Sequence, residues 1–251
     1  MNTLIIIPSR LSAKRLPGKP LLKINGLSII SHVFQKARDS NIGEVYVATE
    51  DQEIVDDIKK NGGEAILTSN VHKTGTDRVF EALKKIGRTD IELVMNLQGD
   101  EPLMKVEDIQ NLQKQMIKFK SNIGTLASKI DDKKIYKNEN IVKVITEKNL
   151  ETSQFPFALN FLRKFDGNEQ NIYHHLGIYC YQLETLKKFI SYEQSSNEIK
   201  YKLEQLRALD NNINVNVALA KSSPIGVDTK EDFIGCLESF KKVERRFGKR
   251  I

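Results

Sequence analysis

Four times in its first half the chain sets a short apolar run before a run with helical spacing. That alternation restricts it to an α/β sheet joined by right-handed crossovers. The apolar runs are Thr3 to Ile7, Val45 to Ala48, Ala65 to Thr68 and Leu93 to Leu97. Thr3 to Ile7 is continuous and stops at Pro8, the pattern of a strand buried on both faces of a parallel sheet. Ile29, Ile30, Val33, Phe34 and Ala37 repeat at helical spacing behind Ser28 as N-cap. Thr49 with Asp51 opens a second helix to about Lys60, ended by Gly62-Gly63, and a third covers Thr76 to Ile86. The second half is less regular. Strands are expected at Ile123 to Ile130, Ile141 to Thr146, Tyr173 to Tyr181 and Ile213 to Leu219. A helix is expected through Ile199, Leu203, Leu206 and Leu209, and a last one from about Lys230 to Phe247. No Pro/Gly/Ser linker, repeat or low-complexity tract divides the sequence, so residues 1–251 read as one domain with a β-rich insertion at about 121–182.

A chain of 251 residues buries about 70–75% of its unfolded surface and needs no disulfide or structural metal to fold. Its two cysteines, Cys180 and Cys236, read as reduced packing thiols of a cytoplasmic protein. The longest apolar run near the N-terminus, Leu4 to Ile7, is too short for a signal-peptide core or a membrane span. The net charge of +6 comes from 39 Lys+Arg against 33 Asp+Glu. Nucleic-acid binders gather basic residues on one face among aromatics. Here Lys59, Lys60, Lys84, Lys85, Lys187 and Lys188 lie on helices with acidic neighbours, and Arg245, Arg246, Lys249 and Arg250 end a helix at its negative pole. Neither a nucleic acid nor a membrane is an expected partner.

In an open α/β sheet, ligands bind beyond the carboxyl ends of the strands. Two loops there carry unusual chemistry. Residues 8–20 hold Arg10, Lys14, Arg15 and Lys19 among three prolines, so several cations can face one anion from a backbone that proline already restricts. A triphosphate suits them. The loop is no Walker A motif, since Gly18-Lys19 is followed by Pro20, and no Gly-x-Gly-x-x-Gly follows the first strand. The second loop is Gln98-Gly99-Asp100-Glu101-Pro102, in which the extended conformation imposed before proline turns Asp100 and Glu101 to opposite sides. Asp228 opens the final helix, as its N-cap or as a second carboxylate beside Asp100. Two carboxylates with triphosphate oxygens suit Mg²⁺, a hard ion that takes one or two protein ligands.

Taken together, LPGKPL (16–21) with Arg10 and Arg15, GTDR (75–78), QGDEP (98–102), HLGIY (175–179), LEQLRAL (203–209) and GVDT (226–229) resemble the 3-deoxy-manno-octulosonate (Kdo) cytidylyltransferases, the CMP-Kdo synthetases. The motifs occur in the family's order over nearly the whole chain. The resemblance implies the reaction CTP + Kdo → CMP-Kdo + pyrophosphate in lipopolysaccharide synthesis, by a cytoplasmic, Mg²⁺-dependent homodimer. It implies a nucleotide-diphospho-sugar transferase (Rossmann-like) fold, a mixed sheet with helices on both faces and a β-rich part for substrate or dimerisation. It assigns Arg10, Arg15 and Lys19 to the CTP phosphates, Gly75 and Arg78 to the nucleoside, and Asp100 and Asp228 to Mg²⁺. Gln98, His175, Tyr179, Glu204 and Gln205 would line the sugar site. Arg15, Lys19, Asp100 and Asp228 would be the catalytic set, with the sugar's 2-hydroxyl attacking the α-phosphorus directly.

The sequence departs from the family at Ser153-Gln154-Phe155-Pro156-Phe157, where a Ser-Arg pair is usual and Gln154 takes the place of an arginine expected to meet the sugar carboxylate. A neutral amide cannot make the bidentate charged pair. If the carboxylate is still bound, another cation or the Mg²⁺ has to compensate: His175 in protonated form or Arg163 on the same segment could do so, although Arg163 reads more readily as an exposed residue of a solvated loop. Lys14 replaces a small hydroxyl residue and Cys180 a Gly or Ala. A cytidylyltransferase for another 2-keto acid sugar would share the first loop without HLGIY and LEQLR, and a nucleic-acid-binding protein would explain the charge but not the ordered motifs.

Overall fold

In the computed structural model, which describes residues 1–12, 15–167, 170–224 and 226–247, every residue of the first strand, β1 (Thr3–Ser9), is buried. Successive side chains of a strand point to opposite faces. Leu4 and Ile6 accordingly enter one core, Ile5 and Ile7 another. After β1 come a 3-10 turn (Lys19–Leu21), a hairpin of β2 (Lys23–Ile24) and β3 (Leu27–Ser28), α1 (Ile29–Asp39), β4 (Gly43–Thr49), α2 (Gln52–Lys60), β5 (Glu64–Leu67), α3 (Gly75–Ile86), β6 (Leu93–Leu97), α4 (Val106–Phe119) and β7 (Ile123–Ser128). The rest holds α5 (Lys134–Lys137), β8 (Lys143–Thr146), β9 (Ala158–Leu162), β10 (Ile172–Gln182), α6 (Leu183–Ser191), α7 (Ser196–Tyr201), α8 (Leu206–Asp210), β11 (Val215–Leu219) and α9 (Lys230–Phe247).

One mixed sheet runs β11-β7-β10-β6-β1-β4-β5, with β8 beside β10 and β9 beside β8. β6, β1, β4 and β5 are parallel, whereas β10 is antiparallel to β6, β7 and β8. Helices cover both faces. Val79, Ala82 and Leu83 of α3 and Leu186 and Phe189 of α6 pack with Leu4 and Ile6. Ile30, Val33 and Phe34 of α1, Ile54 and Ile58 of α2 and Ile109, Leu112 and Met116 of α4 pack with Ile5 and Ile7. Ser28 caps α1 as its sequence implies, accepting from the Ser31 N–H at 3.1 Å. Both cysteines are free and buried. No helix among the described residues is long and apolar enough to cross a membrane. Arg245 and Arg246 fall within α9, while Lys14, Lys249 and Arg250 lie outside the described residues.

One expected element is different. The helix through Ile199 and Leu209 is two short helices, α7 and α8, parted at Lys202, whose φ of 53° is left-handed. Glu204 and Gln205 therefore sit in the turn between them, and Ile199 is 61% exposed instead of belonging to an apolar face. Side-chain chemistry overrides the apolar spacing. Ser195 and Glu198 form a capping box at the start of α7. The Glu198 carboxylate then takes a bidentate pair from the Arg207 guanidinium, both bonds 2.7 Å, which folds α8 back onto α7. Arg207 is 2% exposed, and its guanidinium lies 4.6 Å from the Phe189 ring centre. Helices α4, α5 and α6, the β2–β3 hairpin and strand β9 are additions to the sequence reading.

Removing one partner of a buried ion pair leaves the other charge uncompensated, at a cost of about 3–5 kcal/mol. Glu198→Ala is expected to lower the unfolding free energy in urea by that amount. Ile199→Ala, on the exposed neighbour, is expected to change it by less than about 0.5 kcal/mol.

Candidate active site

The two chemically unusual loops meet at one edge of the sheet. Gly18, with a left-handed φ of 68°, turns the first loop into the 3-10 turn that begins at Lys19. The Lys19 ammonium donates to Asp100 Oδ2 at 2.8 Å and to Asp228 Oδ1 at 3.0 Å, with its side chain only 12% exposed. Burial alone would lower its pKa, but the two carboxylates outweigh burial and raise it. Arg15 donates to Asp228 Oδ2 at 2.7 Å and to Asn140 Oδ1 at 2.6 Å. The Val227 N–H donates to the Asp100 carbonyl at 2.9 Å, which ties the loop after β6 to the one before α9. Asp228 is not the cap of α9. Thr229 Oγ1 accepts from the Asp232 N–H at 3.2 Å, and Asp232 Oδ2 in return accepts from the Thr229 N–H at 2.8 Å. The Asp228 carboxylate is thereby left to face the cations.

Two cavities share Gln98, Asp100 and Asp228 in their walls. The larger, about 760 Å³, is lined by Arg10, Arg15, Lys19, Gly75 and Arg78. Arg10 is exposed at its rim. Arg78 is 3% exposed, its guanidinium spent on Glu50, on Thr68 Oγ1 at 2.6 Å and on the Ser69 carbonyl at 3.3 Å. Gly75 opens α3 behind the Thr74–Asp77 capping box, and a Cβ there would lie 3.5 Å from Pro8 and 3.8 Å from Gln98 Nε2.

The smaller cavity, about 350 Å³, is lined by Glu101, His175, Tyr179, Glu204 and Gln205. HLGIY is a β-bulge: pairing with β7 jumps from Leu176–Leu126 to Tyr179–Thr125. A Cβ on Gly177 would stand 3.0 Å from Gln98 and 3.1 Å from Glu101, so a larger residue would press both side chains back by a few tenths of an ångström. The bulge sets the His175 and Tyr179 rings 5.3 Å apart. The Thr125 hydroxyl donates to the Ile178 carbonyl at 2.6 Å, so it accepts from His175 Nε2–H at 2.9 Å. Burial, reinforced by His174, pushes the His175 imidazole down to about 3, so it is neutral. Burial, with the charge of Asp100 next, pushes the Glu101 carboxyl up to about 8. Its Oε1 faces the Gly177 N–H at 3.4 Å. Burial also raises the Glu204 carboxyl and the Tyr179 phenol.

Gln154 is the site residue that the structure leaves apart. Its Oε1 accepts from Lys118 at 2.5 Å, and it lines a third cavity with Phe119, Phe155 and Asn216. Phe155, with φ of 55°, turns the chain there. Arg163, by contrast, lines the smaller cavity. A protonated His175 is ruled out as the compensating cation by its burial.

The cytidylyltransferase family model matches residues 4–218. The 3-deoxy-manno-octulosonate cytidylyltransferase of Thermodesulfovibrio yellowstonii is 41% identical over 244 residues, 92% of this chain and 95% of that protein. The chain belongs to the 3-deoxy-manno-octulosonate cytidylyltransferase family. The homologous enzyme of Afipia carboxidovorans is also 41% identical, over 92% of this chain and 94% of that protein. Among solved structures, a CMP:2-keto-3-deoxy-manno-octonic acid synthetase complexed with CTP superposes with a TM-score of 0.83 at 31% identity, covering 98% of this chain and 99% of that one. The family's motifs are thus the residues gathered around the two cavities, with Gln154 the departure. Thr125, Asn140 and Lys143 complete the site and carry no motif of their own.

His174 and His175 give the fold a pH dependence of known sign. Burial lowers the first to about 4 and the second to about 3, against about 6.5 in the unfolded chain. Below pH 6.5 the unfolded state binds more protons, so stability is full above that pH and falls as pH drops, by up to about 1.4 kcal/mol per unit for each histidine. The Glu101 carboxyl, raised to about 8, works in the opposite sense, so the histidine share is read from a variant: in urea unfolding at pH 7 and pH 5, His175→Gln is expected to lose less stability on acidification than wild type.

Proposed function

We propose that the chain transfers CMP from CTP to the 2-hydroxyl of 3-deoxy-D-manno-octulosonate, giving CMP-Kdo and pyrophosphate for lipopolysaccharide synthesis. The observation that carries this reading is the pair of cavities meeting at Gln98, Asp100 and Asp228, in a chain that resembles a CTP-complexed synthetase along its whole length. The larger cavity, with Arg10, Arg15 and Lys19, suits the triphosphate, and the smaller one suits the sugar.

Both reactants are anions, so the work of this site is neutralisation and alignment. The sugar oxygen forms a bond to the α-phosphorus while the bond to the β-phosphate oxygen breaks in line, and the hydroxyl proton leaves to solvent. Arg15 and Lys19 neutralise the departing pyrophosphate. No covalent intermediate on the protein is required. Asp100 and Asp228 would hold Mg²⁺. Their carboxylates already converge on one cation, the Lys19 ammonium, and two carboxylates with phosphate oxygens suit that ion. When bound, it polarises the α-phosphate and lowers the pKa of the attacking hydroxyl. CTP in the larger cavity offers Lys19 phosphate oxygens in exchange for the carboxylates. A homodimer in the cytoplasm belongs to the same proposal.

Pyrophosphate release, measured with each NTP against a panel of 2-keto acid sugars, is expected only with CTP and fastest with Kdo. Asp100→Asn and Asp228→Asn are each expected to lower kcat by at least about 10²-fold with the fold intact. Near-normal turnover in either variant would overturn the role of the carboxylate pair.

A further inference from the structure

The smaller cavity is acidic, walled by Asp100, Glu101, Glu204, Asp228 and Asp232, and Arg163 is the one Lys or Arg among its described lining residues. A sugar acid entering it brings a further negative charge. The nearby cations are committed elsewhere. Lys19 serves Asp100 and Asp228, and Arg15 serves Asp228 and Asn140. Lys143 is fully buried, its ammonium donating to the Asn138 carbonyl at 2.9 Å, the Ile141 carbonyl at 2.8 Å and the Arg163 carbonyl.

Arg163 follows the end of β9. Its Nε donates to the Tyr201 carbonyl at 3.1 Å and its terminal nitrogens to the Glu139 carbonyl at 3.1 Å and the Lys202 carbonyl at 2.9 Å. None of these acceptors is charged. A guanidinium has five N–H groups, so two remain after these three bonds, the number that a bidentate pair with a carboxylate uses. The left-handed turn at Lys202 sets one of the carbonyls, and Lys143 anchors the backbone of Arg163 itself. The guanidinium is thus fixed from two sides before any ligand arrives.

We propose that Arg163 binds the carboxylate of the acid sugar, with Lys143 as its positioning residue. The inference rests on the proposed activity. It places carboxylate recognition after β9, while the segment before Pro156, where the family carries its arginine, has turned Gln154 towards Lys118.

Two measurements test it. In steady-state kinetics, Arg163→Ala is expected to raise the KM for Kdo by at least about 10-fold, the loss of one charged hydrogen-bonded pair, and to leave the KM for CTP unchanged. A merely structural role would move both. In binding, the probes are the sugar acid lacking its anomeric hydroxyl, which cannot react, and the methyl ester of that acid. Wild type is expected to bind the acid at least about 10-fold more tightly than the ester. Arg163→Ala should bind both alike, at the wild-type level for the ester, and Arg163→Lys should recover part of the preference. An undiminished preference for the acid in Arg163→Ala, or equal weakening of acid and ester, would overturn the inference. Binding needs no turnover, so a wild-type protein that fails to convert Kdo overturns the proposed activity while the acid–ester comparison still decides the role of Arg163.

Discussion

One ammonium group holds the edge of the sheet together. Lys19 reaches Asp100 and Asp228 at once, from a turn that Gly18 makes possible, and joins three segments remote in sequence. Without that cation, two carboxylates facing each other at a partly shielded site would repel, and the loop after β6 would part from the loop before α9. The backbone bond from Val227 to Asp100 and the clasp of Arg15 on Asp228 and Asn140 add to the same junction. Everything functional lies on one side or the other of it.

The two sides differ in charge for physical reasons. The larger cavity gathers cations on a proline-restricted loop, so a polyanion meets them at little ordering cost. Burial tempers the acidic wall of the smaller cavity: Glu101 is pushed up to about 8, and His175 is neutral. Its polar edges come from the bulge at Gly177, where a Cβ would crowd Gln98 and Glu101, and from the turn between α7 and α8. Arg163 is the exception, a full positive charge seated on three carbonyls.

The central parallel strands β1 and β6 are legible as apolar runs because burial on both faces leaves no other composition, whereas β5 at the sheet edge is partly exposed. The cation loop and the two aspartates are legible because their residues are close in sequence or share a motif. Other parts are not legible, for reasons that lie in pairings across the fold. Apolar spacing from Ile199 to Leu209 suggests one helix, yet the pair between Glu198 and Arg207 bends it into two and leaves Ile199 in solvent. The loss of the family arginine at Gln154 is visible in the sequence, but the direction of that side chain depends on Phe155 and Lys118. Arg163 shows in the sequence only as a cation on the same segment, and its setting is not legible there, since it comes from carbonyls at residues 139, 201 and 202. Thr125 fixes the tautomer of His175 from a neighbouring strand.

In the proposed reaction the sugar's own 2-oxygen attacks the α-phosphorus of CTP across the Asp100–Asp228 junction. Phosphorus NMR of the reaction with Kdo carrying ¹⁸O at that position tests it most directly. The α-phosphorus signal is expected to move from triphosphate to sugar diester with the isotope shift of a bridging ¹⁸O, while the pyrophosphate released is unlabelled. A diester without the label, or CTP cleaved to CMP and pyrophosphate with the sugar untouched, would contradict it.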